Sequence, residues 1–75
     1  MNEIIINLIK EIRPYEEIGE NTELVESGLL DSLSIIRLIT QLEELFCIEI
    51  PDDEVTADNF RTIRDIAQLV NINKK

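Results

Sequence analysis

Residues 31–46 read Asp31-Ser32-Leu33-Ser34-Ile35-Ile36-Arg37-Leu38-Ile39-Thr40-Gln41-Leu42-Glu43-Glu44-Leu45-Phe46. Plotted at about 100° per residue, Ile35, Leu38, Ile39, Leu42, Leu45 and Phe46 fall on one stripe, as in a helix that buries one side. Asp31 stands where an N-cap belongs, so its carboxylate can accept a hydrogen bond from a free N–H of the first turn. The spacing therefore predicts a helix over Ser32–Phe46. Leu33, Arg37, Thr40 and Glu44 lie opposite the stripe, with Ile36 at its edge. This leaves Ser32 in the first turn, accessible, beside apolar side chains that the core does not need.

The flanking segments are also helical in period. Upstream, Ile5, Leu8, Ile9 and Ile12 repeat at i, i+3, i+4, i+7 and predict a helix over Asn2–Arg13. Asn2 is its expected cap, and Pro14 its stop. The connection from Pro14 to Asp31 is rich in Glu and holds both glycines, Gly19 and Gly28. Connections longer than ~12–15 residues are uncommon in small domains and often functional. Ile18, Leu24, Val25, Leu29 and Leu30 are expected to pin this one across the helices. Downstream, Cys47-Ile48-Glu49-Ile50-Pro51 alternates like a strand but has no partner strand, and reads as an extended loop. Asp52 to Phe60 predicts a short third helix with Val55 and Phe60 as anchors. The last helix starts near Thr62, where Thr62-Ile63-Arg64-Asp65 resembles a capping box with Asp in place of Glu or Gln. Ile63, Ile66, Leu69 and Val70 form its buried face, and Asn71 to Lys75 are expected to fray. The expected fold is all-α: a small bundle of three main helices plus one short helix, with residues 1–75 forming a single domain.

Composition removes several function classes. The 75 residues hold 16 acidic and 7 basic side chains, a net charge of −9. That balance disfavours nucleic acid as a partner, because too few cations are present to neutralise a row of phosphates. It favours partners with basic surfaces. No His is present, which removes a His acid–base relay and His zinc ligands. One Cys cannot form an internal disulfide. Ile, Leu and Val supply 26 residues, too many for a chain that stays unfolded. The first apolar cluster, Ile4-Ile5-Ile6, is too short for a membrane span of about 20 residues. It lacks the basic start of a secretory signal. A cytoplasmic monomer without stable membrane insertion is expected.

The stretch Gly28-Leu29-Leu30-Asp31-Ser32-Leu33 carries the chemistry. As the nucleophile of a hydrolase, Ser32 would need a base within hydrogen-bond reach. The neighbouring ionisable groups are carboxylates, which are weak bases at neutral pH, so no catalytic residue is assigned. What Ser32 can do is accept a group from another enzyme. A phosphate joined to it would sit at a helix N-terminus, where free N–H groups and the positive dipole end favour an anion.

These residues resemble the attachment motif of the phosphopantetheine-bearing acyl carrier proteins. Leu30-Asp31-Ser32-Leu33 is similar to their prosthetic-group site. The likeness runs on through Leu42-Glu43-Glu44, Phe46, Ile48-Glu49-Ile50-Pro51, Asn59-Phe60 and Thr62-Ile63, and covers roughly Leu24 to Val70 in the family's order. A lone Asp-Ser-Leu would be a weak signal; this ordered set is a strong one. The resemblance implies a 4′-phosphopantetheine arm from coenzyme A on Ser32, with Asp31 and Leu33 as its flanking recognition residues. It implies a phosphopantetheinyl transferase that installs the arm. An acyl- or aminoacyl-loading ligase or transferase would form a thioester on it, and downstream biosynthetic enzymes would receive the cargo. The chain itself would be non-catalytic, its contribution being covalent tethering, which raises effective concentration.

The chain departs from the fatty-acid-synthesis carriers early in the second helix, where Ser34 and Arg37 replace acidic residues. The length from Pro51 to Thr62 and the place of Phe60 resemble D-alanyl carriers and the stand-alone carriers of polyketide and nonribosomal-peptide pathways. A D-alanyl carrier for cell-wall polymers is the special case to weigh. A non-covalent acidic helical adaptor is the alternative of a different class. Leu33, Ile36, Arg37 and Glu44 are the candidate docking residues, with Asp52, Asp53 and Glu54 available to steer basic partners. Read blandly, Ser32 and Asp31 are common helix-start residues, and Arg37 and Glu44 a solvated face. Cys47 is expected to be a partly buried spectator. Glu16, Glu17, Glu20, Glu23 and Glu26 read as a solvated loop, because they lack the ligand spacing of a calcium loop. No metal site is expected.

Overall fold

The computed structural model describes residues 1–74. Its helices are α1 (Asn2–Ile12), α2 (Ser32–Phe46) and α3 (Ile63–Asn73), with single 3-10 turns at Asp52–Glu54 and Asp58–Phe60 between α2 and α3. The described residues contain no strand, so the expected all-α fold is present. The α2 boundaries are those that the apolar stripe predicted.

The core is one continuous cluster. Ile5 and Ile9 from α1, Leu38 and Leu42 from α2, and Ile63, Ile66, Leu69 and Val70 from α3 are buried together. The connections also contribute, with Ile18, Leu24 and Leu30 from the long loop, Ile48 and Ile50 after α2, and Phe60 from the second 3-10 turn. The long connection is therefore ordered by its apolar residues, as expected. Its backbone is also tied down, with Leu24 N–H donating to the Arg61 carbonyl at 2.7 Å and Leu30 N–H to the Leu24 carbonyl at 2.9 Å. Lys74 lies over the Phe46 ring at 5.8 Å, which brings the C-terminal ends of α2 and α3 together.

Five expectations are corrected. The predicted short helix over Asp52–Phe60 is two separate 3-10 turns. A short polar run cannot offset helix nucleation, and Asn59 Nδ2 instead binds the Glu54 carbonyl at 2.7 Å between the turns. In α2 the buried line runs through Ser34, Leu38 and Leu42, so Leu45 is 54 % exposed. Ser34, which no apolar count would select, is only 7 % exposed. The cap of α1 is Met1, and Asn2 Nδ2 reaches Glu20 Oε1 instead, at 2.9 Å. The fraying expected from Asn71 does not begin there, for α3 continues to Asn73. The Asn73 amide holds that end by donating to Leu69 O at 3.0 Å and Glu54 Oε1 at 2.8 Å. The part of the fraying expectation that concerns Lys75 lies outside the described residues. Cys47 is exposed rather than partly buried, because it ends α2 in the left-handed conformation with φ 55°.

The remaining start signals read from the sequence are present. Thr62 Oγ1 accepts from Asp65 N–H at 3.3 Å and caps α3, while the Asp65 carboxylate takes the Thr62 hydroxyl at 2.9 Å rather than the Thr62 N–H that a full capping box would use. Glu43 Oε2 accepts from Ile50 N–H at 2.9 Å and fastens the extended loop to α2.

Phe60 is fully buried although it lies between helices. A chain this short buries only about 60 % of its unfolded surface and has a few kcal/mol of stability. Phe60→Ala is expected to cost about 3–5 kcal/mol. Urea denaturation followed by circular dichroism should show that variant largely unfolded without denaturant.

Candidate functional site

The site is built where the long connection enters α2. Gly28 has φ +83°, a conformation that side chains with a Cβ resist, and it turns the chain toward the helix. Its N–H donates to the Val25 carbonyl at 3.1 Å. Leu30 then drops into the core at 2 % exposure, fixing the next two residues relative to the bundle. Asp31 is extended, with φ −89° and ψ −179°, and Oδ1 accepts from Ser34 N–H at 2.8 Å. The Asp31 carbonyl takes the first helical bond, from Ile35 N–H at 2.9 Å. Ser32 is the first residue of α2 and is exposed.

Asp31 is held below the ordinary aspartate pKa. The main cause is the hydrogen bond from the Ser34 backbone N–H, followed by the Ser34 side chain. The Arg13 guanidinium adds a smaller lowering effect, and partial desolvation opposes all three. Elsewhere in the loop, a hydrogen bond shared with Glu26, and the Glu26 charge, raise the Glu23 carboxyl. Among the described residues no group of three or more His, Cys, Asp or Glu side chains converges as a metal site would.

The structure brings some of the candidate residues to Ser32 and leaves others away from it. Leu33 is 73 % and Ile36 61 % exposed, one turn apart on α2 directly after Ser32. Arg37 is exposed one residue further. Glu44 is exposed but lies twelve residues along, about 18 Å at the α-helical rise. Asp52, Asp53 and Glu54 belong to the first 3-10 turn, which follows the far end of α2. Asp52 lines an open groove there of about 1230 Å³, with Phe46, Cys47 and Ile72 to Lys74. Glu54 is half-buried and already accepts from Asn73.

Two residues at the site were missed in the sequence. Ser34 could have been found, since Ser34, Leu38 and Leu42 recur at i, i+4, i+8. Arg13 had no such signal. Its side chain leaves the C-terminal end of α1 and donates from Nε to the Leu29 carbonyl at 3.0 Å, a contact that only the folded loop creates.

A small helical bundle with an exposed serine on the first turn of a capped helix fits a carrier of a covalent group. Comparison with known proteins agrees. The sequence matches the family model described as "Phosphopantetheine attachment site" over residues 3–70. It is 41 % identical over 59 residues to an acyl carrier protein of Wolinella succinogenes, covering 79 % of this chain and 75 % of the relative. It is 34 % identical over 76 residues to a D-alanyl carrier protein of Lactococcus lactis, covering 99 % and 96 %. The fold is similar, with a TM-score of 0.79 and 24 % identity, to the glycylated carrier protein in complex with a Bradyrhizobium japonicum glycine:[carrier protein] ligase, covering 91 % of this chain and 95 % of that one. The chain belongs to the phosphopantetheine-carrying family that includes the acyl carrier and D-alanyl carrier proteins. It is a carrier protein, and its prosthetic group is a covalently attached 4′-phosphopantetheine. The non-covalent adaptor is not favoured. Carriers of this family are generally non-catalytic.

The low Asp31 pKa has a sign that can be tested. A carboxyl whose folded pKa lies below its unfolded value of about 3.9 stabilises the fold above that value. The contribution is lost as pH falls through the lower folded value. The stability difference between the wild type and Asp31→Asn, which keeps a cap but not the charge, should narrow as pH is lowered through that window. Denaturation midpoints of the two proteins at stepped pH check this; a constant difference contradicts it.

Proposed function

We propose that Ser32 carries the 4′-phosphopantetheine and that the chain is a single carrier domain for acyl or aminoacyl cargo. The observation that carries this reading is the exposed Ser32 hydroxyl at the first turn of α2, immediately after the Asp31 cap. The donor set fits the group. A primary alcohol at the surface forms a phosphodiester without displacing core atoms, and the helix N-terminus favours the resulting anion. In the attachment reaction Ser32 Oγ forms a bond to the pantetheine phosphate of coenzyme A, adenosine bisphosphate leaves, and the hydroxyl proton passes to a base of the transferase. Once attached, the group supplies a terminal thiol that holds cargo as a thioester.

The chain's own residues supply position, not catalysis. Asp31 fixes the start of α2 and hence the direction in which Ser32 faces. Leu33, Ile36 and Arg37 form the docking surface closest to the attachment point, for the transferase, the loading ligase and the downstream enzymes. Glu44, Asp52 and Asp53 contribute long-range attraction for basic partners from the other end of α2. Support for a loading ligase as partner comes from the solved carrier complexes that share this fold. No helix among the described residues is long and apolar enough to cross a membrane. A monomer working in the cytoplasm fits this reading.

Incubation with coenzyme A, magnesium and a promiscuous phosphopantetheinyl transferase, followed by intact mass, tests the assignment. The wild type should gain one phosphopantetheine and Ser32→Ala none. Addition that persists in Ser32→Ala would place the arm elsewhere. Loading of the modified protein by adenylating enzymes with a panel of amino acids, D-alanine and glycine included, then identifies the cargo. Rejection of D-alanine removes the D-alanyl special case.

A further inference from the structure

Arg13 is the one basic side chain among the described residues that reaches the attachment turn. It is the residue that caps the C-terminal end of α1. Nε–H donates to the Leu29 carbonyl at 3.0 Å, and Nη2 lies 3.7 Å from Asp31 Oδ2. Asp31 thus uses its two oxygens differently, with Oδ1 on the Ser34 N–H and Oδ2 toward the guanidinium. The Arg13 backbone is itself fixed, since its N–H closes α1 on the Ile9 carbonyl at 2.8 Å.

This arrangement answers a difficulty at the site. Attachment places a phosphodiester anion on Ser32, beside the Asp31 carboxylate. Like charges on adjacent residues raise each other's energy and disfavour ionisation of the carboxylate. The helix N-terminus offsets part of this, but Asp31 already uses the Ser34 N–H. We propose that Arg13 is a positioning residue of the attachment site, holding the Leu29–Asp31 backbone and compensating the Asp31 charge so that a carboxylate and a phosphodiester can occupy neighbouring positions. The inference rests on Ser32 as the attachment residue.

Both members of the pair are solvent-accessible, with side-chain exposures of 39 % for Arg13 and 61 % for Asp31. The effect is therefore modest and screened by salt. Arg13→Gln removes the charge, and Arg13→Lys restores a cation without the planar fork that serves Leu29 and Asp31 together. Transferase kcat/KM for Arg13→Gln should fall by about two- to fivefold at low salt, the range of an exposed charge pair.

The decisive readout is the Asp31 carboxyl titration, followed by carbon NMR in the unmodified and modified proteins. Arg13 is the charged side chain within ion-pair distance of Asp31 among the described residues. In the wild type the arm should raise the Asp31 midpoint only slightly. In Arg13→Gln it should raise the midpoint clearly more, and in Arg13→Lys by an amount near that of the wild type. A residue that merely stabilised the fold would not change this difference between modified and unmodified forms. Arg13→Met, which keeps the aliphatic stem, replaces the Gln variant if that one does not fold. Equal displacement of the midpoint in the wild type and the uncharged variant would overturn the role of Arg13 alone. A wild type that accepts no phosphopantetheine would overturn the Ser32 reading and this one with it.

Discussion

The hydrogen bond from Ser34 N–H to Asp31 Oδ1 sets where α2 begins, and the other features of the site follow from that starting point. In an α-helix each residue is rotated about 100° from the last. Burial of Leu38 and Leu42 sets the rotation of α2 about its axis, and the cap ends the helix with Ser32 as its first residue. The same phase that buries Leu38 and Leu42 leaves Leu33 and Ile36 in solvent beside the serine. Core and site are two sides of one rotational choice.

That choice is reinforced from outside the helix. Leu30 is buried just before the cap, Leu24 is buried and bonded to Arg61, and Arg13 reaches from α1 to Leu29. The turn that leads into Ser32 is thus fastened to α1, to the start of α3 and to the core. For a bundle of this size such fastening is needed, because three short helices alone bury too little apolar surface. The loop residues are core residues, and the long connection is a structural element without regular hydrogen bonding.

Much of this was legible in the sequence. Ser32–Phe46 was read to the residue because a strong cap precedes an uninterrupted apolar period, and Thr62 with Asp65 marked α3 in the same way. The family motif around Ser32 was readable because its residues are local and ordered. The failures share a cause. Leu45 and Ser34 were misplaced because apolar period gives the axis of a buried stripe only to within tens of degrees, and packing against α1 and α3 sets the rest. The turns at Asp52–Phe60 were read as a helix because local propensity cannot show that the Asn59 side chain will take the Glu54 carbonyl while the Glu54 side chain is taken by Asn73. Arg13 was invisible because its contacts join residues sixteen and eighteen positions apart, and nothing local marks them.

The left-handed cysteine that closes α2 has a practical consequence. A non-glycine residue in that conformation carries a steric penalty of about 1 kcal/mol. Replacing Cys47 by glycine relieves this and also removes the polypeptide's sole sulfhydryl. The swinging arm would then bear the molecule's single thiol. Maleimides and disulfide exchange reagents would count loaded and unloaded molecules with no background from the scaffold.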